Sequence, residues 1–271
     1  MGYVDRPSPL HRLSGLSKLL GFLLWSGAAM ITYDTRLLAF LLVLGVLLFP
    51  MGKITWREVR IPLYFMLFFL TLNNVAIFLF SPLEGVAIYG SRHPLLHLFG
   101  PYDLTEEQLF YQLNITLKYL AVIPAALIFL LTTHPSELAS SLNRVGVPYR
   151  VSYSVAIALR YFPDLQRSYL DIARAQEARG GELSARISWR ERFLRAAGII
   201  WPLTVSSLEK VETISSAMDL RGFGKKKRRT WYSARPLTLW DGLAILLTAG
   251  FFLLALYLFE VNGGRFYNPF G

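Results

Sequence analysis

Cysteine is missing altogether from the 271-residue sequence, which removes disulfides, thiolate nucleophiles, Cys-ligated zinc and iron–sulfur clusters in one step. Histidine is scarce, with four copies scattered along the chain. His93 and His97 have the spacing of a helical metal pair, but Pro94 stands between them and no third ligand is nearby. A polar outer loop is therefore expected there, and no metal or other cofactor. Acid is also in short supply, with 18 Asp and Glu against 28 Lys and Arg. Glu106 and Glu107 are adjacent, hence on different helix faces, and read as solvated charge rather than an acid–base pair. No Gly-x-x-x-x-Gly-Lys-Ser/Thr phosphate loop occurs, since Gly222-Phe223-Gly224-Lys225 fails the pattern by spacing. Without paired carboxylates, a His cluster or an activated nucleophile at a membrane boundary, an enzyme is not expected.

Apolar residues make up 54% of the chain and the mean hydropathy is +0.40, too hydrophobic for an ordinary soluble domain and too charged for a plain lipid-embedded bundle. A spanning helix needs about 20 mostly apolar residues. Residues 19–31 and 37–49 are two short runs, extendable through snorkelling neighbours, that read as a membrane hairpin. Residues 61–80, 113–131 and 239–259 supply three more spans. The first run also has the shape of a signal-peptide core behind Arg6, Arg12 and Lys18, but its cleavage pattern is weak, and a span is expected. Of the 28 Lys and Arg, all but Arg36, Arg92, Lys118 and Arg265 fall before residue 19 or within 51–60 and 132–238. That bias places the N-terminus in the cytoplasm and the C-terminus outside.

Residues 132–238 are too long for a simple connection and carry helical patterns. A short helix opens near Thr133-His134-Pro135-Ser136-Glu137 and stops at Gly146 and Pro148. A second runs from Tyr149 to Gly180 with an apolar stripe of Val151, Val155, Leu159, Phe162, Leu165, Ile172 and Ala175. A third runs from near Ser188 to Arg221, with Phe193, Ala197, Ile200, Thr204, Leu208, Val211, Ser215 and Met218 along one side. Pro163 and Pro202 are expected to bend these two helices. Arg190, Arg192, Arg195, Lys210 and Glu212 keep them out of lipid, so they read as amphipathic helices packed beneath the membrane and on each other. The fold class is thus an all-α polytopic membrane protein of about five transmembrane helices, with a cytoplasmic region of one short and two long amphipathic helices. The expected divisions are residues 1–131, 132–236 and 237–271.

The two long helices end alike, in Ala175-Gln176-Glu177-Ala178-Arg179-Gly180 and in Ala217-Met218-Asp219-Leu220-Arg221-Gly222. Gly180 and Gly222 can take the left-handed conformation that ends a helix, and Arg179 and Arg221 sit where the helix dipole favours a cation. Ala175 and Ala217, four residues earlier, leave a small flat patch on the same face. Such a knob suits an acidic or carbonyl-lined groove on another protein. One copy alone reads as a common helix ending; two copies point to a dimeric or pseudo-dimeric partner.

These endings, with Leu142-Asn143-Arg144-Val145-Gly146-Val147-Pro148-Tyr149 and Leu159-Arg160-Tyr161-Phe162-Pro163, resemble the transmembrane T component of energy-coupling factor transporters, the CbiQ/EcfT family. Ser8-Pro9-Leu10-His11-Arg12-Leu13 with Lys18, Thr132 to Leu138, Trp201-Pro202-Leu203 and Gly222-Phe223-Gly224 also match. Leu220, Ser168 and the stretch from Ser14 to Ser17 depart from the family pattern. The resemblance implies a non-catalytic scaffold in a prokaryotic cell membrane. Its implied partners are two ATP-binding-cassette ATPases, whose grooves receive the two Arg tips, and a small membrane subunit that captures a vitamin or metal ion. A self-sufficient secondary transporter is the alternative, and it would place ionisable groups within the spans; the spans offer little besides Asn73, Asn74 and Lys118.

The run Lys225, Lys226, Lys227, Arg228 and Arg229 fits contact with anionic lipid better than nucleic acid, because it lies shortly before the last span. Asn73 and Asn74 must find partners within the membrane, and interhelical hydrogen bonding is the commoner use than contact with a substrate subunit. Lys118 has the length to snorkel.

Overall fold

The computed structural model describes residues 6–99, 102–179, 189–226 and 230–270. Gly180, Lys227, Arg228 and Arg229, and the side chains of Arg192 and Arg195, lie outside that set. A short helix α1 (Pro9–Arg12) leads into α2 (Gly15–Ile31), α3 (Thr35–Gly52) and α4 (Trp56–Phe80). Helix α5 (Glu84–Tyr89) and the antiparallel strands β1 (Pro94–Phe99) and β2 (Tyr102–Thr105) precede α6 (Glu106–Thr132). The remaining helices are α7 (Pro135–Arg144), α8 (Tyr149–Ala178), α9 (Trp189–Leu220) and α10 (Leu239–Val261). The chain divides into two compact units, one of Met1–Glu137 with Arg235–Gly271 and one of Leu138–Ala234.

In the first unit α3, α4, α6 and α10 are long and apolar enough to cross a membrane, and α2 is a shorter apolar helix of 17 residues. Contacts along α2 fix the directions of its neighbours. The Ser14 amide donates to Asp241 at 2.7 Å where α2 and α10 begin, and the Tyr33 amide donates to the Arg265 carbonyl at 2.8 Å just beyond their far ends. These two helices are therefore parallel. The end of α6 returns to the start of α2, where Lys18 Nζ donates to the Thr132 carbonyl at 2.7 Å. Arg6 reaches both the Lys53 carbonyl after α3 and, at 2.6 Å, Glu58 near the start of α4. Directions thus alternate along the chain, and α2 counts as a crossing despite its length. Both chain connections to the second unit leave from one end, the end where α2 starts.

The core of this unit gathers Trp25, Ala28 and Ala29 of α2, Leu37, Leu38 and Leu41 of α3, Ala121 of α6 and Ala255 of α10. Small residues let the helices approach closely, and the Trp25 indole closes the crossing by donating to the Ala121 carbonyl at 2.9 Å. Helix α4 is, with α10, among the least buried spans and leans on α6. There the two asparagines diverge. Asn74 Nδ2 donates to Thr116 Oγ1 of α6 at 3.1 Å, the interhelical use expected of it, whereas Asn73 is exposed on another face of α4.

Three sequence expectations change here. The stretch around His93 and His97 is not a plain polar loop but part of a two-stranded hairpin preceded by α5. Glu107 is fully buried rather than solvated: it accepts from Ser91 Oγ at 2.9 Å and from the His93 amide, and lies 2.6 Å from His93 Nδ1. Its neighbour Glu106 opens α6, so the two carboxylates do occupy different faces. Gly85 permits this close approach, since a Cβ there would sit 2.4 Å from the Glu107 carbonyl oxygen. Lys118 does not snorkel but is buried with its ammonium 3.6 Å above the Tyr33 ring, a cation–π contact.

In the second unit α8 and α9 run antiparallel. Gln176 Nε2 donates to the Gly198 carbonyl at 3.4 Å, and Lys210 Nζ donates to Ser168 Oγ at 3.1 Å. Both helices continue unbroken through Pro163 and Pro202. Among the described residues of this pair, Ala173 of α8 and Ile199 of α9 are buried apolar side chains. The stripe that the sequence offered as the packed face of α9 is instead largely exposed, including Ile200, Leu208 and Val211. The reason is that α9 is apolar on more than one side, so periodicity alone does not choose the contact face.

Candidate functional site

The two helix ends are built by local rules. After Leu220, Gly222 adopts φ +67°, the left-handed conformation predicted for it. The Phe223 amide then donates to the Met218 carbonyl at 2.9 Å and the Gly222 amide to the Asp219 carbonyl at 2.9 Å. That pair of reversed bonds is the Schellman ending, which satisfies carbonyls a helix otherwise leaves open. Arg179 closes α8 with its amide donating to the Gln176 carbonyl at 3.1 Å.

Phe223 then does what sequence reading did not assign. Its ring lies 4.9 Å from that of Tyr153 and 5.6 Å from that of Tyr149, and Trp231 packs at 5.7 Å from Tyr149. Arg150 Nη2 donates to the Gly224 carbonyl at 3.4 Å, and the Trp231 indole donates to Asn143 Oδ1 at 3.1 Å. The Gly-Phe-Gly turn therefore clamps the end of α9 onto the first turns of α8. The only sequence signal was the excess of aromatics around a Gly pair, which does not reveal which rings meet.

This clamp fixes the distance between the tips. Arg221 sits beside the start of α8 and Arg179 at its end, so the two cations are separated by most of α8, about 40 Å at 1.5 Å per residue. Ala175, Glu177, Ala178 and Arg179 are exposed, as are Ala217, Asp219 and Arg221, and Gly222 is half-buried. Leu220, beside Arg221, is 90% exposed. Lys225 and Lys226, the described members of the basic run, are exposed as well. Between the tips both helices display large apolar side chains, among them Phe162, Tyr169 and Leu170 of α8 and Trp201, Leu208 and Val211 of α9. Surface of that size and character marks a place where other molecules bind. Among the described residues no group of three or more His, Asp and Glu stands ready to hold a metal ion.

Fold and tips together define a class: a multi-pass, all-α membrane protein with a separate helical unit that presents two distant cationic helix ends. A family model described as CbiQ, cobalt transport protein, matches residues 6–232, and the chain belongs to that family. It is similar to curated proteins named energy-coupling factor transporter transmembrane protein EcfT. The relative from Exiguobacterium sibiricum is 26% identical over 94% of this chain and 97% of its own length. That from Thermotoga maritima is 27% identical over 94% and 92%, and that from Macrococcus caseolyticus is 25% identical over 83% and 92%. A protein of Bifidobacterium longum named as an ABC transporter ATP-binding protein is 27% identical over 86% of this chain, a stretch that makes up 30% of its own length.

Proposed function

We propose that the chain is the transmembrane scaffold of an energy-coupling factor importer. It transmits ATP-driven movement of two cytoplasmic ATPases to a separate substrate-binding membrane subunit, for uptake of a vitamin or a metal ion. The carrying observation is the pair of exposed Arg-bearing ends held about 40 Å apart, a span that suits two grooves on two protomers rather than one. The Bifidobacterium longum protein supports the pairing, because it joins a stretch similar to this chain with an ATP-binding protein's name in one polypeptide. In this reading residues 132–236 are the coupling region and Arg179 and Arg221 seat in the ATPases. Ala175, Ala178 and Ala217 give close approach, Glu177 and Asp219 belong to the same docking surface with Gly180, and Gly222 turns the chain away. Pro163 and Pro202 are flexure points, and residues Lys225 to Arg229 rest on anionic lipid with the N-terminus in the cytoplasm and the C-terminus outside.

A separate substrate subunit is supported by the use of three ionisable side chains within the helices of the first unit, which serve structure: Lys118 on Tyr33, Glu107 on Ser91 and His93, and Asp241 on Ser14, Ser17 and Thr238. The test is Arg179→Glu and Arg221→Glu, singly, in cells that depend on the transporter. Reversing a docking cation costs several kcal/mol, so uptake falls more than about tenfold while the amount of protein in the membrane is unchanged. Normal uptake and normal ATPase association in both variants would defeat the proposal.

A further inference from the structure

At the end of the first unit where α2 starts lies a cavity of 360 Å³ lined by Arg6, Pro7, Ser8, His11, Arg12 and Arg235. Half of its lining residues are arginines. Two of them are fixed. Arg6 bonds Glu58 at 2.6 Å, and Arg235 bonds Glu137 at 2.6 Å and the His11 carbonyl at 2.9 Å. Glu137 is shared with Lys18, whose ammonium lies 3.9 Å away. Arg12 differs: it is exposed, and its guanidinium has no partner among the described residues. Among the described residues Glu58 and Glu137 thus pair with Arg6, Arg235 and Lys18, and Arg12 adds a further cation to the cavity wall. Ser8 Oγ and His11 Nδ1 hydrogen-bond each other at 2.6 Å in the same wall.

The level of this cavity is marked independently. Trp56 and Trp240, at the starts of α4 and α10, are 63% and 73% exposed. Exposed indoles at the same end of two spans mark a membrane–water boundary, and the cavity residues lie just before α2 and just before α10. Beside the cavity, Leu10 and Leu13 line an apolar cleft of 120 Å³ that passes Phe22 and Phe129 between α2 and α6. A cationic hollow at the boundary, next to an apolar cleft inside it, matches a molecule with an anionic head and a hydrocarbon tail. Guanidinium forks suit phosphate oxygens better than single charges do.

We infer that this cavity binds the phosphate of an anionic phospholipid headgroup, with Arg12 as the cation that the lipid completes. This goes beyond the coupling role and does not depend on it. The full chain, purified in detergent and stripped of lipid, is titrated with phosphatidylglycerol, phosphatidylcholine and inorganic phosphate, and bound ligands are counted by native mass spectrometry. Arg12→Gln weakens the first phosphatidylglycerol by about fivefold, the worth of one basic residue at such a surface. Arg12→Lys, which keeps the charge and loses the fork, falls in between. Arg167→Gln on α8 removes the same charge from an exposed site and leaves that affinity unchanged, and phosphatidylcholine responds to none of the three. Equal weakening by Arg12→Gln and Arg167→Gln would reduce the effect to overall charge and overturn the site. Saturation by inorganic phosphate that phosphatidylglycerol fails to displace would assign the cavity to a soluble phosphate compound and overturn the lipid.

Discussion

Asp241 shows how single polar side chains organise this membrane protein. One carboxylate oxygen accepts from the Ser14 amide at 2.7 Å and Ser17 Oγ at 2.5 Å, and the other accepts from the Thr238 amide and hydroxyl, both at 2.7 Å. It thereby caps α10 and pins α2 to it. This explains Ser14 and Ser17, whose departure from the family pattern carries a structural role instead. Asp241→Ala strands four donors, two of them backbone amides, and should cost about 3 kcal/mol or more. A fall of several degrees in the unfolding midpoint of the purified protein in detergent is expected, against little change for Asp219→Ala on the exposed tip. At this scale the sequence was partly legible. Asn74 followed the rule for amides in spans because its side chain faces α6; Asn73 is one residue earlier, about 100° round the helix, and is exposed. Nothing local distinguishes the two, because the difference lies in where α6 stands.

Helix ends and hairpins belong to the next scale. The stop at Gly222 was readable because a left-handed glycine after a helical run acts within one turn. The β1–β2 hairpin was not, because its alternation is short and its stability comes from side chains at some distance in sequence. Arg92 and His97 both bond Asp103, and these contacts hold its carboxyl below the ordinary value of 3.8 despite partial burial. A carboxyl whose folded value is depressed contributes stability that is complete above its unfolded value and is lost as pH falls through the folded one. Amide exchange in residues 94–99 and 102–105 should therefore accelerate, relative to α6, as pH drops below about 4, once corrected for intrinsic rates. Asp103→Asn should remove that pH dependence. An unchanged profile in the variant would place the hairpin's stability elsewhere. The contact faces of α8 and α9 were illegible for a different reason: each carries more apolar surface than one partner helix can cover, so the pattern named the helices without naming the pairing.

For the whole molecule, hydropathy and charge bias were enough to count the crossings, and the alternating directions of α2, α3, α4, α6 and α10 agree with the count. The separation of the two Arg tips was not readable, because it depends on Phe223 meeting Tyr149 and Tyr153 across the antiparallel pair. In the proposed coupling role that separation lets the repeated motif act as two levers about 40 Å apart, driven by two bodies that approach and part. The absence of cysteine makes the direct test clean. Single thiols placed at 179 and at 221 in the full complex, each carrying a short cross-linker, should each form an adduct with one ATPase subunit. When both thiols are present, one chain should carry two ATPase subunits, with yields that change between ATP-bound and nucleotide-free states. Adducts only with this chain's own residues, or one ATPase subunit joined to both positions, would contradict the account.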